Sequence, residues 1–413
     1  FESLMAVTGP DHLSSEPGHE GQPLDSAFKE GNRRPFLGDQ QWKVNWRTYY
    51  LNRDTDQESD RETLATGGSV NWTSGYFQKY IQVGVTVYTS QKVFGDKDKD
   101  GAGLLQDEQQ SYGGVGELYI DGVLGDTHFR GGRFAINTPY MNKHDIRMLP
   151  NTFQGARVTH QLTKNWLIGG GHITHMKDRT STGFDKLYER EGFDDDKGVT
   201  AVGSIYTRGS QTGGFYYYHA PDFMDTLYFE YDYKQVLNKD DFLSFGAQYT
   251  HQNSVGKKFD GEFDIDHFGG KAKWKAGSLT TGLTYTYYSD TEQIRNPWGG
   301  VPGYTSVIVK DFYRPGESTW MFGFDYDFSD AGVPGLSANT NFLSGDTPDN
   351  GINASPDQDE WDVTVDYRLQ QGVLKNFWIR LRHAHINQKN SNGNTDAKDM
   401  NDARLILNYE VPL

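Results

Sequence analysis

The sequence predicts an all-β protein, a transmembrane antiparallel β-barrel of about 18 strands with short periplasmic turns and long external loops. Three observations predict it. Segments in which apolar and polar residues alternate recur from one end of the chain to the other. Tight turns join these segments in pairs, and long polar stretches lie between the pairs. The polar face carries Asp, Lys and Arg, where a two-layer sandwich would need a second apolar surface. A closed barrel with water inside satisfies both faces and leaves no unpaired edge. The alternative is a soluble, half-buried antiparallel protein, whose strands also alternate. Aromatics gathered towards the ends of the segments, as at a membrane interface, weigh against it.

The elements follow in order. In "TLYFEYDYK", Leu227, Phe229, Tyr231 and Tyr233 share one face, against Tyr228, Glu230, Asp232 and Lys234. In "SLTTGLTYTYYS", Leu279, Leu283, Tyr285 and Tyr287 oppose Thr280, Gly282, Thr284 and Thr286. "TWMFGFDYDF" sets Trp320, Phe322, Phe324 and Tyr326 against Met321, Gly323, Asp325 and Asp327. "EWDVTVDYRLQ" alternates Trp361, Val363, Val365 and Tyr367 with Asp362, Thr364, Asp366 and Arg368. "ARLILNYEVPL" does the same with Leu405, Leu407 and Tyr409 against Arg404, Ile406 and Asn408. Candidate strands run roughly 9–11 residues, the length that crosses a bilayer at a tilt. Thr163-Lys164-Asn165, Asn238-Lys239-Asp240 and Ala276-Gly277-Ser278 read as hairpin turns. The long polar stretches are 51–67, 94–111, 135–156, 177–198, 252–265, 289–315, 344–358 and 387–401, and 67–94 admits more than one division into strands.

The segment "NFWIRLRHAHI" decides which face is which. Arg380 and Arg382 alternate with Phe377, Ile379 and Leu381. An arginine facing lipid near mid-bilayer costs about 2–4 kcal/mol. Turned inward, both arginines meet water, the apolar residues meet hydrocarbon, and the guanidinium groups line a pore.

Composition narrows the function classes. The chain has 413 residues, no cysteine, 14% aromatics and a formal charge of −16. Disulfide and thiolate chemistry are thereby excluded. Mean hydropathy is −0.74 and no apolar run approaches the ~18 residues of a membrane helix. The opening "FESLMAVTGP" does not read as a signal peptide, so any leader is expected to have been removed or never present. An acidic balance argues against a nucleic-acid partner, which needs a concentrated basic face.

Other motifs carry less. "DKDKDGAGLLQDE" places Asp96, Asp98, Asp100 and Gly101 in the register of a calcium loop. Its twelfth position is Asp107 rather than glutamate and no helices flank it, so a solvated external loop is the reading, with Asp96, Asp98 and Asp100 a weak metal candidate. Acidic loops such as "GFDDDKG" equally suit divalent-ion bridging to anionic lipopolysaccharide. His172 and His175 lie on opposite faces of a strand, while His383 and His385 share a face without a third ligand. "GGGHI" opens no helix and is not a nucleotide fingerprint. No carboxylate pair is singled out for glycoside hydrolysis. Lys271, Lys273 and Lys275 share a face, either inward or solvated near a turn. Arg130 and Arg133 have opposite parity, so both line the pore only if Gly131-Gly132 forms a bulge; otherwise one pairs with an acid such as Glu117 or Asp121.

Several blocks resemble the OprD-type family of outer-membrane carboxylate channels, substrate-specific porins of Gram-negative bacteria. "NWRTYYLNRD" (45–54) is similar to the family's first strand, and "INTPY" (136–140) with "RMLPNTFQGARV" (147–158) to its inward-folded third loop. "VKDFYRPGESTW" with "GVPGLSA" resembles a hairpin region of the family, and "FWIRLRHAHI" and "ARLILNYEVPL" its last two strands. The blocks span roughly 41–413. Residues 1–34 are an unassigned N-terminal extension and 35–413 the barrel.

The resemblance implies a monomeric 18-stranded pore, often packed as a loose homotrimer among outer-membrane lipid and lipopolysaccharide, with no enzymatic activity and no cofactor. It implies passive diffusion of small carboxylate solutes, either aromatic or aliphatic acids or amino acids, along a basic ladder of Arg130, Arg380, Arg382 and Arg404. An acidic residue faces the ladder, here Asp311, and Tyr140, Asn151 and Phe153 are the expected constriction residues. Two departures stand out. Val309 replaces a tyrosine of some members, which argues against a pocket for basic amino acids, and Leu413 replaces a common terminal phenylalanine. A non-selective general porin and an outer-membrane β-barrel hydrolase remain as alternatives.

Overall fold

In the computed structural model, residue 36 and residues 40–56, 59–388 and 398–412 are described. The extension 1–34 and Leu413 lie outside the described residues. Eighteen strands form the wall, β1 Gln41–Thr55, β2 Arg61–Thr73, β3 Ile81–Phe94, β4 Tyr112–Leu124, β5 Thr127–Phe134 and β6 Thr152–Thr163. There follow β7 Trp166–Lys177, β8 Val199–Arg208, β9 Gln211–Ala220, β10 Met224–Val236, β11 Phe242–Ser254 and β12 Asp264–Ala276. The last are β13 Leu279–Tyr288, β14 Ser318–Asp327, β15 Leu336–Asp346, β16 Gln358–Arg368, β17 Trp378–Gln388 and β18 Lys398–Pro412. Each pairs antiparallel with its neighbours, and β18 pairs with β1 from Lys43↔Pro412 to Thr55↔Met400. The sheet closes on itself, so every strand's backbone groups are satisfied within hydrocarbon.

Alternation is realised as inside and outside. On β17, Leu381 is 52% exposed while Arg380 is 1% exposed. On β16, Trp361 faces out while Asp362 and Thr364 are buried inward. Outward aromatics form two belts. Trp46 stacks on Phe377 at 6.2 Å near the short-turn end, and Phe342 stacks on Trp361 at 5.9 Å near the other. Such rings suit the two membrane–water interfaces.

At the seam, Lys43 Nζ meets Glu410 at 2.7 Å near one end of the strand pair. Arg53 Nε meets Asp402 at 2.8 Å near the other.

Several connections are shorter than the sequence suggests. In 51–67, strands β1 and β2 continue to Thr55 and resume at Arg61. A strand that rises above the bilayer is wet on both faces and loses the alternation by which it would be recognised. The stretch 252–265 contracts to a loop over 255–263, and β9 joins β10 through only 221–223. The Gly131-Gly132 pair makes no bulge, because the register from Leu118↔Arg133 to Leu124↔Thr127 is unbroken. Gly132 instead takes φ +124°, and a Cβ there would stand 2.4 Å from the Leu118 carbonyl oxygen. Arg133 therefore stays on the outward face of Leu118, 4.4 Å from the Phe184 ring. Only Arg130 turns inward.

The lumen is crossed by the loop 135–151, which is bolted down at both flanks. On one side Tyr140 and Met141 join Phe134, Phe153, Tyr216, Tyr218 and Tyr228 in a buried apolar cluster. On the other, Met148 and Leu149 pack with Tyr49, Leu51 and Trp378. A second loop, 289–317, also folds inward. Asn142 Nδ2 donates to the Gly300 carbonyl at 3.0 Å, and Gly300 N donates to Asn142 Oδ1 at 2.9 Å, which clasps the two loops together. A side chain at Gly299 would meet the Asn142 carboxamide at 2.6 Å, so the clasp requires glycine there.

Candidate solute pathway

Parity places the inward residues of the last strands and the first on one sector of the wall. Arg380 stands opposite Asp366 in register and binds it with a two-pronged fork, Nε at 2.7 Å and Nη2 at 2.9 Å. Arg382 stands directly opposite Arg404. Side by side these two cations would repel. Asp402 offsets that repulsion, because it accepts from Arg404 Nε and, at 2.8 Å, from Arg53 Nε. Arg404 also donates from Nη2 to the carbonyl of Ile308 at 2.7 Å.

The sequence had offered no role for Arg47, although its parity with Lys43 and Asn45 against Trp42 and Trp46 was there to be read. It is buried inward, donates to Asn408 Oδ1 at 2.9 Å and meets Asp145 of the loop at 2.7 Å. Two further arginines arrive on loops. Arg147 donates from Nε to the Ala102 carbonyl at 3.1 Å. Burial and the neighbouring guanidinium groups of Arg404 and Arg179 push its pKa down. Arg179, in the loop after β7, has its backbone N–H held by Asn151 Oδ1 at 2.9 Å and lies 3.5 Å from His144. Burial lowers its pKa as well. No spacing in the sequence points to Arg179, because its place depends on where three loops meet.

Asp311 lies in the inward loop 289–317 and accepts from Ser306 Oγ. Burial pushes its carboxyl pKa up, against the pull of Ser306, Arg179 and Lys310. Asn151 is buried and positions Arg179. Tyr140 donates its hydroxyl to Thr250 at 3.0 Å, and Phe153 is fully buried opposite Phe134. Both anchor the constriction loop to the wall from beneath and do not present a face to the lumen. Below that loop, on the short-turn side, a recess of about 260 Å³ is lined by Lys43, Arg47, Glu117, Lys143 and Asp145 among others.

Arg130 occupies a different sector, separated from Arg404 by β1 to β4. It grips Asp121 at 2.6 and 2.8 Å and lies 3.9 Å over the Tyr119 ring. On the far wall Lys271 meets Asp232 at 3.0 Å and Glu230 at 3.4 Å, so it faces inward. His383 and His385 share the outward face.

The weak metal candidate is occupied by its own loop. Asp96 caps the turn at Asp98 N, and Asp100 accepts from Gly101 N at 2.6 Å and Glu108 N at 2.7 Å. Among the described residues, the trio whose ligand atoms converge within 4.8 Å is His251, Asp264 and Asp266, on the outward face.

With this geometry in view, comparison with known proteins is informative. A family described as outer membrane porin, OprD family, matches residues 34–413. Porin D of Pseudomonas aeruginosa is 23% identical over 420 residues, covering 93% of each chain. The porin-like protein GalP of Pseudomonas putida is 25% identical over 392 residues, covering 92% of this chain and 93% of that one. The crystal structure of OccK9 (OpdG) of Pseudomonas aeruginosa superposes with a TM-score of 0.83 at 25% identity, covering 92% of this chain and all of that one. These relatives are porins, which are channels rather than enzymes. A match over nearly the whole chain, on a closed barrel of 18 strands, leads to one conclusion: the chain belongs to the OprD family of outer-membrane porins.

Proposed function

We propose that this outer-membrane porin passes small solutes bearing a carboxylate, by passive diffusion along the basic sector at the constriction. The observation that carries the reading is Arg382 directly across from Arg404, with Arg47 on the next strand and Arg147 brought over by the loop. A guanidinium is always charged and offers a planar fork that matches a carboxylate. Alternate residues on one strand lie about 6.5–7 Å apart and directly opposed residues about 4.5–5.5 Å. A carboxylate therefore steps from Arg380 through Arg382 to Arg404 without losing a partner.

Conduction needs sites that are many and individually weak. Asp366 and Asp402 already engage Arg380 and Arg404, so each arginine's pull on a passing anion is shared. Arg130, itself engaged by Asp121, is a further basic group on a separate sector of the wall. Asp311 faces the path from the loop and discriminates against a second negative charge. Asn151, Tyr140 and Phe153 hold the constriction in shape. Val309 favours aromatic or aliphatic acids over basic amino acids. The pore is complete in one chain, which packs as a loose homotrimer in a lipopolysaccharide leaflet.

Solute flux into liposomes carrying the protein, or single-channel recording, tests this against a panel of acids. Benzoate and gluconate are expected to outpace neutral solutes of the same size, and their flux to saturate. Equal and unsaturable rates would identify a non-selective general porin.

A further inference from the structure

The tip of the 289–317 loop rests on the groups that a carboxylate would use. Its Ile308 carbonyl takes Nη2 of Arg404 at 2.7 Å. The backbone N–H groups of Val309 and Lys310 donate to the two carboxylate oxygens of Glu360, at 3.0 and 2.9 Å. The Ile308 side chain is buried against Ala384 and Ile386, with Val309 and Met400 packed around it. Glu360 is 2% exposed on the inward face of β16. Left alone there, a carboxyl group would be costly, and the two N–H groups, together with the neighbouring Asp362 carboxyl, are its partners.

We propose that the 306–311 tip is a resident competitor for the arginine row, and that Glu360 is the positioning residue that keeps it seated. The inference rests on the carboxylate path proposed above. A peptide carbonyl is a neutral acceptor, whereas a carboxylate brings opposite charge to the guanidinium and can accept two of its N–H groups as a planar fork. A carboxylate arriving at Arg404 therefore displaces Ile308. The tip stays tethered through Glu360 and returns, which releases the solute towards the next arginine. Each transit ends with Arg404 refilled. Glu360 touches neither the solute nor Arg404 and acts only through the loop.

Single-channel recording of the full chain in planar bilayers tests this, first in potassium chloride alone and then with benzoate as the probe. Glu360→Gln keeps the size but offers one acceptor oxygen for two N–H groups. Glu360→Asp keeps the carboxyl group and withdraws it by one methylene. Both variants are expected to switch between current sublevels about tenfold more often than the wild type in potassium chloride alone. The benzoate concentration that halves the small-ion current is expected to fall about tenfold, because the competitor is weaker. Wild-type switching in both variants would overturn the proposal. So would a normal Glu360→Asp beside an altered Glu360→Gln, since the field of the carboxylate and not its grip on the loop would then be responsible. If benzoate blocks no channel, wild type included, the carboxylate reading falls, while switching in salt alone still decides the role of the tip.

Discussion

Arg382 and Arg404 face each other across neighbouring strands, and Asp402 on the same strand as Arg404 keeps the pair from being a repulsive defect. Removing both arginines takes two cations from the wall beside the inward loop 289–317 and leaves Asp402 with Arg53 alone. The double variant Arg382→Ala with Arg404→Ala is expected to lower benzoate flux roughly tenfold or more, and to move the reversal potential in a salt gradient towards cations. Planar-bilayer recording reads both. An unchanged reversal potential would remove the basic row from the selectivity mechanism.

Arg380 makes a different prediction, because Asp366 holds its Nε and Nη2 in a two-pronged fork. Arg380→Ala strands a buried carboxylate, and breaking such a pair costs about 3 kcal/mol, the lower end of the range for a buried site. Asp366→Asn on the same background is expected to recover much of that loss. Urea unfolding in detergent, followed by heat-modifiable electrophoretic mobility, gives the double-mutant cycle. A coupling near zero would show that the fork adds nothing.

The clasp between the inward loops is separable from the chemistry. Asn142→Ala deletes the hydrogen bonds to Gly300 and Pro139 and leaves buried backbone groups unmatched, a loss of about 2 kcal/mol. Limited proteolysis within 289–317 is expected to accelerate, and baseline current noise to rise, with the wall intact. Gly299→Ala should act in the same direction through steric conflict with Asn142. Wild-type cleavage rates in both would contradict the clasp.

Asp311 gives the pH dependence. Its carboxyl is raised above its ordinary value near 3.8, chiefly by burial, so on acidification it takes up a proton before an ordinary aspartate does. The folded state binds more protons than the unfolded in that window, so ionised Asp311 costs stability as pH rises through it and the cost is relieved below. Chloride selectivity is therefore expected to increase as the pH falls through the window just above 3.8, and Asp311→Asn to flatten that rise. Reversal potentials at graded pH measure it. An identical rise in the variant would assign the effect to other carboxylates.

The wall was legible because lipid and water enforce a two-residue period. Trp320, Phe322 and Phe324 on one face, or Arg380 and Arg382 on the other, need no further context. Where strands β1 and β2 rise above the bilayer, both faces are wet and the period disappears, which is why 51–67 looked like loop. Arg47 is legible by the same parity. Arg179 was not, because its place beside Arg147 and Asp311 depends on three loops converging. Phe153 sits in a recognisable block, yet its burial opposite Phe134 depends on the register of β5 against β6. The inward course of 289–317 was likewise hidden, since Glu360 reads in sequence as one more acid on a polar face.

The two ion pairs at the seam reach beyond permeation to assembly. Lys43 with Glu410 and Arg53 with Asp402 are set far apart along the same two strands. If these strands zipped together two residues out of step, inward and outward faces would still match, but Arg53 would lose its directly opposed partner Asp402. The ring thus carries a built-in check on its own closure, and a barrel locked in the wrong offset would give itself away at the Arg53–Asp402 pair.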